Sequence, residues 1–346
     1  AAGDRAAAQA RRIGAPVAWL AGGAGLAFLL MPLSAHPGSG AFLGVLLLVW
    51  AVGTAALRAP LAALLGRHLP GSDAPNAALI GAGLALSGVA GGYLVPVLRE
   101  VSPYVAFAWA GAGTALVAWL AVPAERWAIG ATPAAAQTAG ASTDRTAGAL
   151  ADSSAPMSRA ATPDPSAGLT LPLFAGAGLL TVGLQFHAFV AAPAAFGKAA
   201  APALSTLFWI GSALACGVFV IVRQADMRLL CVRAAACGVL ALGCFGLADM
   251  FAAKAAAHLL AGVAWGVMLS GVITLGFGFG RAIGRVGLVV GCLFGLLAVA
   301  TLIRIALGAL GLWSAIGPGA ALWAAAACWA GAAAVLRAAR VPGAAA

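Results

Sequence analysis

Residues 53–68 read GTAALRAPLAALLGRH, a run without charge until Arg67 except for one arginine, Arg58. A permanent cation in such a run has two settings. Either the segment is a soluble helix with Arg58 in water, or it crosses a bilayer with Arg58 turned toward protein. The rest of the chain decides between them. Hydrophobic residues make up 63% of the 346, charged residues 8%, and the mean hydropathy is +1.03. A soluble fold of that composition could not cover its surface with polar groups. The chain therefore reads as an integral membrane protein.

An α-helix needs about 20 apolar residues to cross ~30 Å of hydrocarbon. Ten runs meet that length: 13–33, 41–65, 76–98, 103–123, 169–192, 202–222, 234–253, 256–279, 286–310 and 315–336. Hydrocarbon offers no partner to backbone N–H and C=O groups, so helices are expected. The two-residue alternation of a membrane barrel is absent. The fold class expected is an all-α polytopic membrane protein with ten transmembrane helices.

The net charge of +10 would suit nucleic acid if it were gathered in one patch, but it follows the spans instead. With spans alternating from a cytoplasmic N-terminus, fourteen of the nineteen Lys and Arg fall on the inner side. Three fall outside, Arg99, Lys198 and Lys254, and Arg58 and Arg304 lie within spans. This is the positive-inside bias. It places both termini in the cytoplasm, with the bacterial inner membrane as location and lipid, not nucleic acid, as the surrounding partner. Residues 13–33 also carry the basic start of a secretory signal, but 21 apolar residues is long for that role and its removal would invert the bias. The six cysteines form no C-x-x-C pair and read as small hydrophobes.

Residues 124–168 change to Ala, Thr, Ser, Pro and Gly with scattered charges, the composition of a disordered cytoplasmic linker. It separates an N-terminal bundle of four spans, 1–123, from a C-terminal bundle of six, 169–346. The two halves echo each other. Asp4 stands seven residues before Arg11, and Asp226 seven before Arg233. From those anchors spans one to four keep step with spans seven to ten, while spans five and six have no counterpart. If the unit is a parallel six-helix repeat, the first half lacks its opening two helices, as a fragment or truncated protein would.

These features, with the arginine inside the helix after each basic loop and the passages LQFHAFVAAPAAFGKAAAPALSTLFWIGSALA (184–215) and GRAIGRVGLVVGCLFGLLAVATLIRIALG (280–308), resemble the major facilitator superfamily of transporters. The resemblance implies two pseudo-repeated bundles, here 4 + 6, that rock about a central cavity. It makes the loop charges Asp4, Arg5 and Arg11, and Asp226, Arg228 and Arg233, cytoplasmic gate residues. It also implies a permease acting by alternating access, with a small-molecule solute as partner, a coupling proton and a monomeric state.

Within the spans, Arg58 lies about 12 Å from the inner end of its helix at 1.5 Å per residue. An arginine near mid-bilayer costs ~2.5–3.5 kcal/mol on insertion scales, so it should face a cavity or a partner. Backbone carbonyls opened by Pro60 are one such partner. Arg304 lies in the outer half of the ninth span, where snorkelling is easier. His187 stands beside Gln185 between Phe186 and Phe189, a residue able to hold an anion or relay protons. Ser205, Thr206, Trp209, Trp265 and Ser270 are weaker candidates, since helix packing uses the same residues. No apolar run contains Glu, and the only Asp in one is Asp249, near an end. Two buried cations without a carboxylate predict an electropositive cavity and an anionic or zwitterionic solute. Gly88, Gly92, Gly287, Gly291 and Gly295 recur every fourth residue and read as helix-packing surfaces.

No cofactor or metal is expected, and no catalytic signature appears: no Walker loop, H-E-x-x-H or G-x-S-x-G. Two other readings stand beside transport. One is a non-transporting or truncated membrane scaffold. The other is a membrane haem or cofactor protein, because His187 and His258 both fall toward the outer side and two histidines can ligate haem.

Overall fold

The computed structural model describes residues 14–35, 40–68, 73–131, 167–221 and 226–338. Every element among them is helical. In chain order these are α1 (Gly14–Leu30, closed by a 3₁₀ turn at Met31–Ala35), α2 (Gly40–His68), α3 (Asp73–Val101), α4 (Pro103–Ala131) and α5 (Ala167–Phe186). A π-helical turn, His187–Ala191, leads into α6 (Ala192–Ile221). Then come α7 (Met227–Leu247), α8 (Phe251–Ala282), α9 (Val286–Ala309), the short α10 (Leu312–Ile316) and α11 (Pro318–Ala338).

Each expected apolar run coincides with a helix. Eight are long and apolar enough to span a membrane, while the described apolar stretches of α4 and α6 are shorter, Tyr104–Leu116 and Ala203–Gly217. The protein is a multi-pass membrane protein. Its helix ends depart from the hydropathy reading where an apolar run continues through a turn. The expected span 234–253 is helical from Met227 to Leu247, because Asp226 caps the start and the chain breaks at Ala248–Met250. The last span begins at Pro318, after α10 has bent the chain between Gly311 and Gly317. α4 continues to Ala131 and α5 starts at Ala167, so the expected linker 124–168 loses both ends to helix. Its remainder, 132–166, lies outside the described residues, as do Asp4, Arg5 and Arg11. Between α5 and the main length of α6 the chain turns at Gly197, whose φ of +74° suits a residue without Cβ.

Packing follows the internal repeat. α1 packs on α2 and α4, and α7 packs on α8 and α11, the corresponding pairs of the second half. Across the halves, α2 lies on α9 and α3 lies on α8, two contacts that exchange when the halves are swapped. α3 also packs along α6, which has no counterpart in the first half. Lipid is as apolar as a leucine, so association depends on close fit more than on burial from water. The closest approach is between α6 and α8. A methyl group on Gly211 would meet the carbonyl of Leu259, and one on Gly262 that of Phe208. α1 and α4 meet similarly, Gly25 against the Gly111 carbonyl. Around the α6–α8 crossing lies the main core, with Trp265, Trp329, Phe208 and Phe277 fully buried.

The cross-half contacts of α3 run from its start to its middle. Ala74 and Ala78 of α3 pack on Phe219. Gly81 faces Cys216 and Ser270, Gly88 lies on the Trp209 ring, and Gly291 of α9 meets Ala59 of α2. Beyond Gly88, α3 turns Tyr93, Leu94, Val97 and Val101 outward.

Candidate functional site

Arg304 is held from three sides. Its Nε donates to Gln185 Oε1 at 2.8 Å, and Gln185 Nε2 donates to Thr301 Oγ1 at 3.1 Å. Thr301, one turn before Arg304, donates in turn to the Leu297 carbonyl. The guanidinium carbon lies 4.7 Å from the centre of the Phe189 ring, a cation–π contact. The Arg304 carbonyl accepts the Trp313 Nε1–H at 3.0 Å, and the Trp313 indole meets Phe186 edge-on. The π turn shapes this wall: Gln185 and Phe189 face α9 while His187, between them, faces α8. Such turns recur at functional sites because the extra residue re-aims side chains. Only Nε of the guanidinium is bonded to protein among the described residues. The planar fork of its two terminal nitrogens, which matches a carboxylate, is left open. The Phe189 ring, 40% exposed, continues to Trp209 at 6.2 Å between centroids.

Arg58 occupies a second position. Its guanidinium carbon lies 4.7 Å from the Phe294 ring centre. Among the described residues Arg58 shows no hydrogen bond to a carbonyl near Pro60, and the aromatic face of Phe294 lies against it. Phe294 and Thr181 border a small, partly open apolar cavity between α5, α8 and α9. Trp265 also lines it, and its indole N–H has no partner among the described residues. Neither Arg58 nor Arg304 is ion-paired among the described residues. The two cations do not share one pocket. Arg304 is in the half of α9 near Ala309, and Arg58 is beside the half near Val286.

His187 and His258 are in direct contact, His258 Nδ1 to His187 Nε2 at 3.0 Å, both fully buried. Iron between two imidazoles needs ~2 Å to each nitrogen along opposed bonds, and a pair hydrogen-bonded to each other has no such gap. The geometry overturns the bis-histidine haem reading. Phe196, Phe208 and Phe245 ring the pair. Of the weaker candidates, Thr206 turns its hydroxyl back to Ala203 of its own helix, and Ser270 meets Cys216 Sγ at 3.4 Å.

Of the loop charges expected at the gate, Asp226, Arg228 and Arg233 lie among the described residues. Asp226 caps α7, accepting from the N–H of Arg228 and of Leu229 at 2.9 and 3.1 Å. That is a local helix cap. Arg233 is exposed. Among the described residues, an ion pair joins the two halves: Asp73, at the start of α3, with Arg281, at the end of α8, through two parallel hydrogen bonds. Nothing in the local sequence announces it, since 208 positions separate the partners. Of the expected packing glycines, Gly88 and Gly291 make cross-half contacts, Gly287 is buried and Gly92 half-buried. Gly295 faces open space, where a methyl group would meet nothing. The α6–α8 crossing glycines Gly211, Gly262 and Gly266 carry the tighter contact, and Gly262 and Gly266 form a small-xxx-small pattern in α8.

No family model matches the chain, and no curated protein matches it in sequence. Among solved structures, 93% of the chain aligns with 74% of the human organic anion transporter MFSD10 (TETRAN), at 19% identity and a TM-score of 0.56. The same share aligns with 81% of a bacterial homologue of the iron transporter ferroportin in its outward-facing state, at 16% identity and a TM-score of 0.54. At these identities the likeness is one of fold.

Proposed function

We propose that this chain, whose fold is that of the major facilitator transporters, is a secondary permease moving a small anionic or zwitterionic organic solute by alternating access. The observation that carries the reading is Arg304, gripped through Nε by Gln185 and backed by Phe189, with its terminal nitrogens left for a ligand. A desolvated guanidinium without a counter-ion is costly, and a solute carboxylate supplies the missing charge. The neighbour that is an organic anion transporter agrees with this reading. The iron-transporter homologue shows that the fold alone does not choose the cargo.

The positive-inside bias assigns the end that holds Asp73 and Arg281 to the cytoplasm of a bacterial cell. The two bundles, 1–123 and 169–346 in the sequence reading, meet there through the Asp73–Arg281 pair and the small-residue contacts of α3. In an outward-facing state, with the cytoplasmic side closed, they would part beyond Gly88 of α3, on the side where Arg304 and Phe189 lie. In the cycle, solute bridging Arg304 draws the bundles together outside, and loss of the Asp73–Arg281 contact opens the inside. Arg58, on the inner side of the cavity bordered by Phe294, receives the solute next.

The test is uptake into proteoliposomes of radiolabelled organic carboxylates, with p-aminohippurate as the first probe. Arg304→Ala and Arg58→Ala should each lower uptake at least about tenfold, the loss of one charged hydrogen-bonding partner. Full uptake by Arg304→Ala at normal expression refutes the anion reading.

A further inference from the structure

The anion site uses one face of the chain around residues 185–189 and leaves the other to a histidine pair. We propose that His187 and His258 form a proton-binding relay that takes up one proton together with the anion on Arg304. The proposal rests on the anion reading above.

Two neutral imidazoles hold two protons on four nitrogens. One proton occupies the 3.0 Å contact between His258 Nδ1 and His187 Nε2. The outer nitrogens, His187 Nδ1 and His258 Nε2, are both buried and without a partner among the described residues. Whichever ring donates in the contact, one outer nitrogen carries a hydrogen with no acceptor and the other a bare lone pair with no donor. The two assignments interconvert when a proton enters at the bare nitrogen, the shared proton shifts, and a proton leaves from the far end. The pair is thus a two-ended wire. A third proton held on it forms an imidazolium sharing its hydrogen with an imidazole, at a net charge of +1.

The surroundings decide when that proton stays. Phe208 and Phe196 from α6 and Phe245 from α7 wall the pair and carry no charge. α11, packed on the π turn, has as its only charge Arg337, at its far end. On α8, Lys254 stands one turn before His258, and Asp249 precedes that helix. Arg304 of α9 is reached through Gln185, two residues before His187. All of these except Asp249 are cations, so the empty site repels the extra proton. An anion on Arg304 reverses the local balance, and Gln185 and Phe189, flanking His187, both touch that arginine. A monoanion and one proton enter together as a neutral set, and both leave to water on the other side.

The experiment follows the ring nitrogen shifts of ¹⁵N-histidine-labelled protein in lipid nanodiscs from about pH 8.5 to about pH 4.5. It is run with and without p-aminohippurate. The two buried rings should gain one proton between them in a single coupled step. Saturating probe should raise the midpoint by about one pH unit, a tenfold gain in proton affinity that anion affinity must mirror. Arg304→Ala should abolish that rise and keep the step. His187→Gln and His258→Asn, which preserve a polar group at the contacting atom, should each lose the coupled step. Rings that stay neutral to the acid limit, or that titrate independently, overturn the relay. A coupled step indifferent to the probe overturns its link to transport. Failure of the anion reading shows elsewhere, as probe uptake unchanged in Arg304→Ala, a measurement that involves neither histidine.

Discussion

Replacing Asp73 with Asn removes one charge from the contact that ties α3 to α8 and leaves the side chain's size and capping ability intact. Arg281 is 40% exposed in this pair and Asp73 15%, so water screens it on one side. Exposed pairs are worth ~0.2–1 kcal/mol, and two parallel hydrogen bonds put this one near the top, about 1 kcal/mol. The bond bridges the two halves and exists only while that end is closed, so its whole value enters the equilibrium between closed and open. About 1 kcal/mol is about a fivefold increase in the open fraction. A native reporter lies at the same interface. Cys216 is buried against Gly81 of α3 and Ser270 of α8 and becomes accessible only when α3 moves away. The rate at which N-ethylmaleimide labels the Cys216 peptide, read by mass spectrometry, should therefore rise about fivefold in Asp73→Asn. The exchange Asp73→Arg with Arg281→Asp should return it to the starting rate. An unchanged rate in Asp73→Asn, or a charge exchange that labels as fast as the single variant, refutes the claim that this pair closes the end.

Other expectations follow from the packing. Gly262→Ala drives a methyl group into the Phe208 carbonyl and should cost ~1–3 kcal/mol as overpacking. Gly278→Ala, on the same helix with nothing near its added methyl, should leave thermal unfolding in detergent unchanged. Asp226→Ala should lower stability by ~1 kcal/mol through loss of the α7 cap, and Asp226→Ser should recover most of it. Both should label at Cys216 as the parent does, which separates a cap from a gate. Trp329→Phe loses the Nε1 bond to the Leu180 carbonyl, which keeps its bond within α5. It should destabilise by ~0.5–1.5 kcal/mol more than Trp265→Phe, whose indole N–H has no partner among the described residues. Equal melting points would count against that account.

The interior arginines were legible because hydropathy and charge are properties of single residues, and an uncompensated Arg58 or Arg304 stands out in any apolar run. Their partners were less so. Gln185 was singled out beside His187, and its bond to Arg304 spans 119 positions. His258 was noticed for haem and turned out to bond to His187, because the rotation of α8 about its axis, set by the α6–α8 glycine crossing, decides which way it points. Gly295 keeps the period of Gly287 and Gly291 yet faces open space, since a periodic stripe marks a helix face without saying what lies opposite. Asp226 and Arg233 echoed Asp4 and Arg11 in spacing, but that Asp226 caps α7 shows only in the backbone geometry at its position.

By itself the sequence determined that the chain crosses a membrane, where its helices run, which end of each carries the cations, and that no interior carboxylate answers the two arginines. These follow from free energies of transfer that add residue by residue along a segment. Only the tertiary structure decided that Asp73 meets Arg281, that His187 and His258 are hydrogen-bonded, and that the Phe294 ring lies against Arg58. Those contacts depend on the tilt and rotation of whole helices. In lipid, helix orientation is selected by how closely small residues let neighbouring backbones approach, which no single segment encodes.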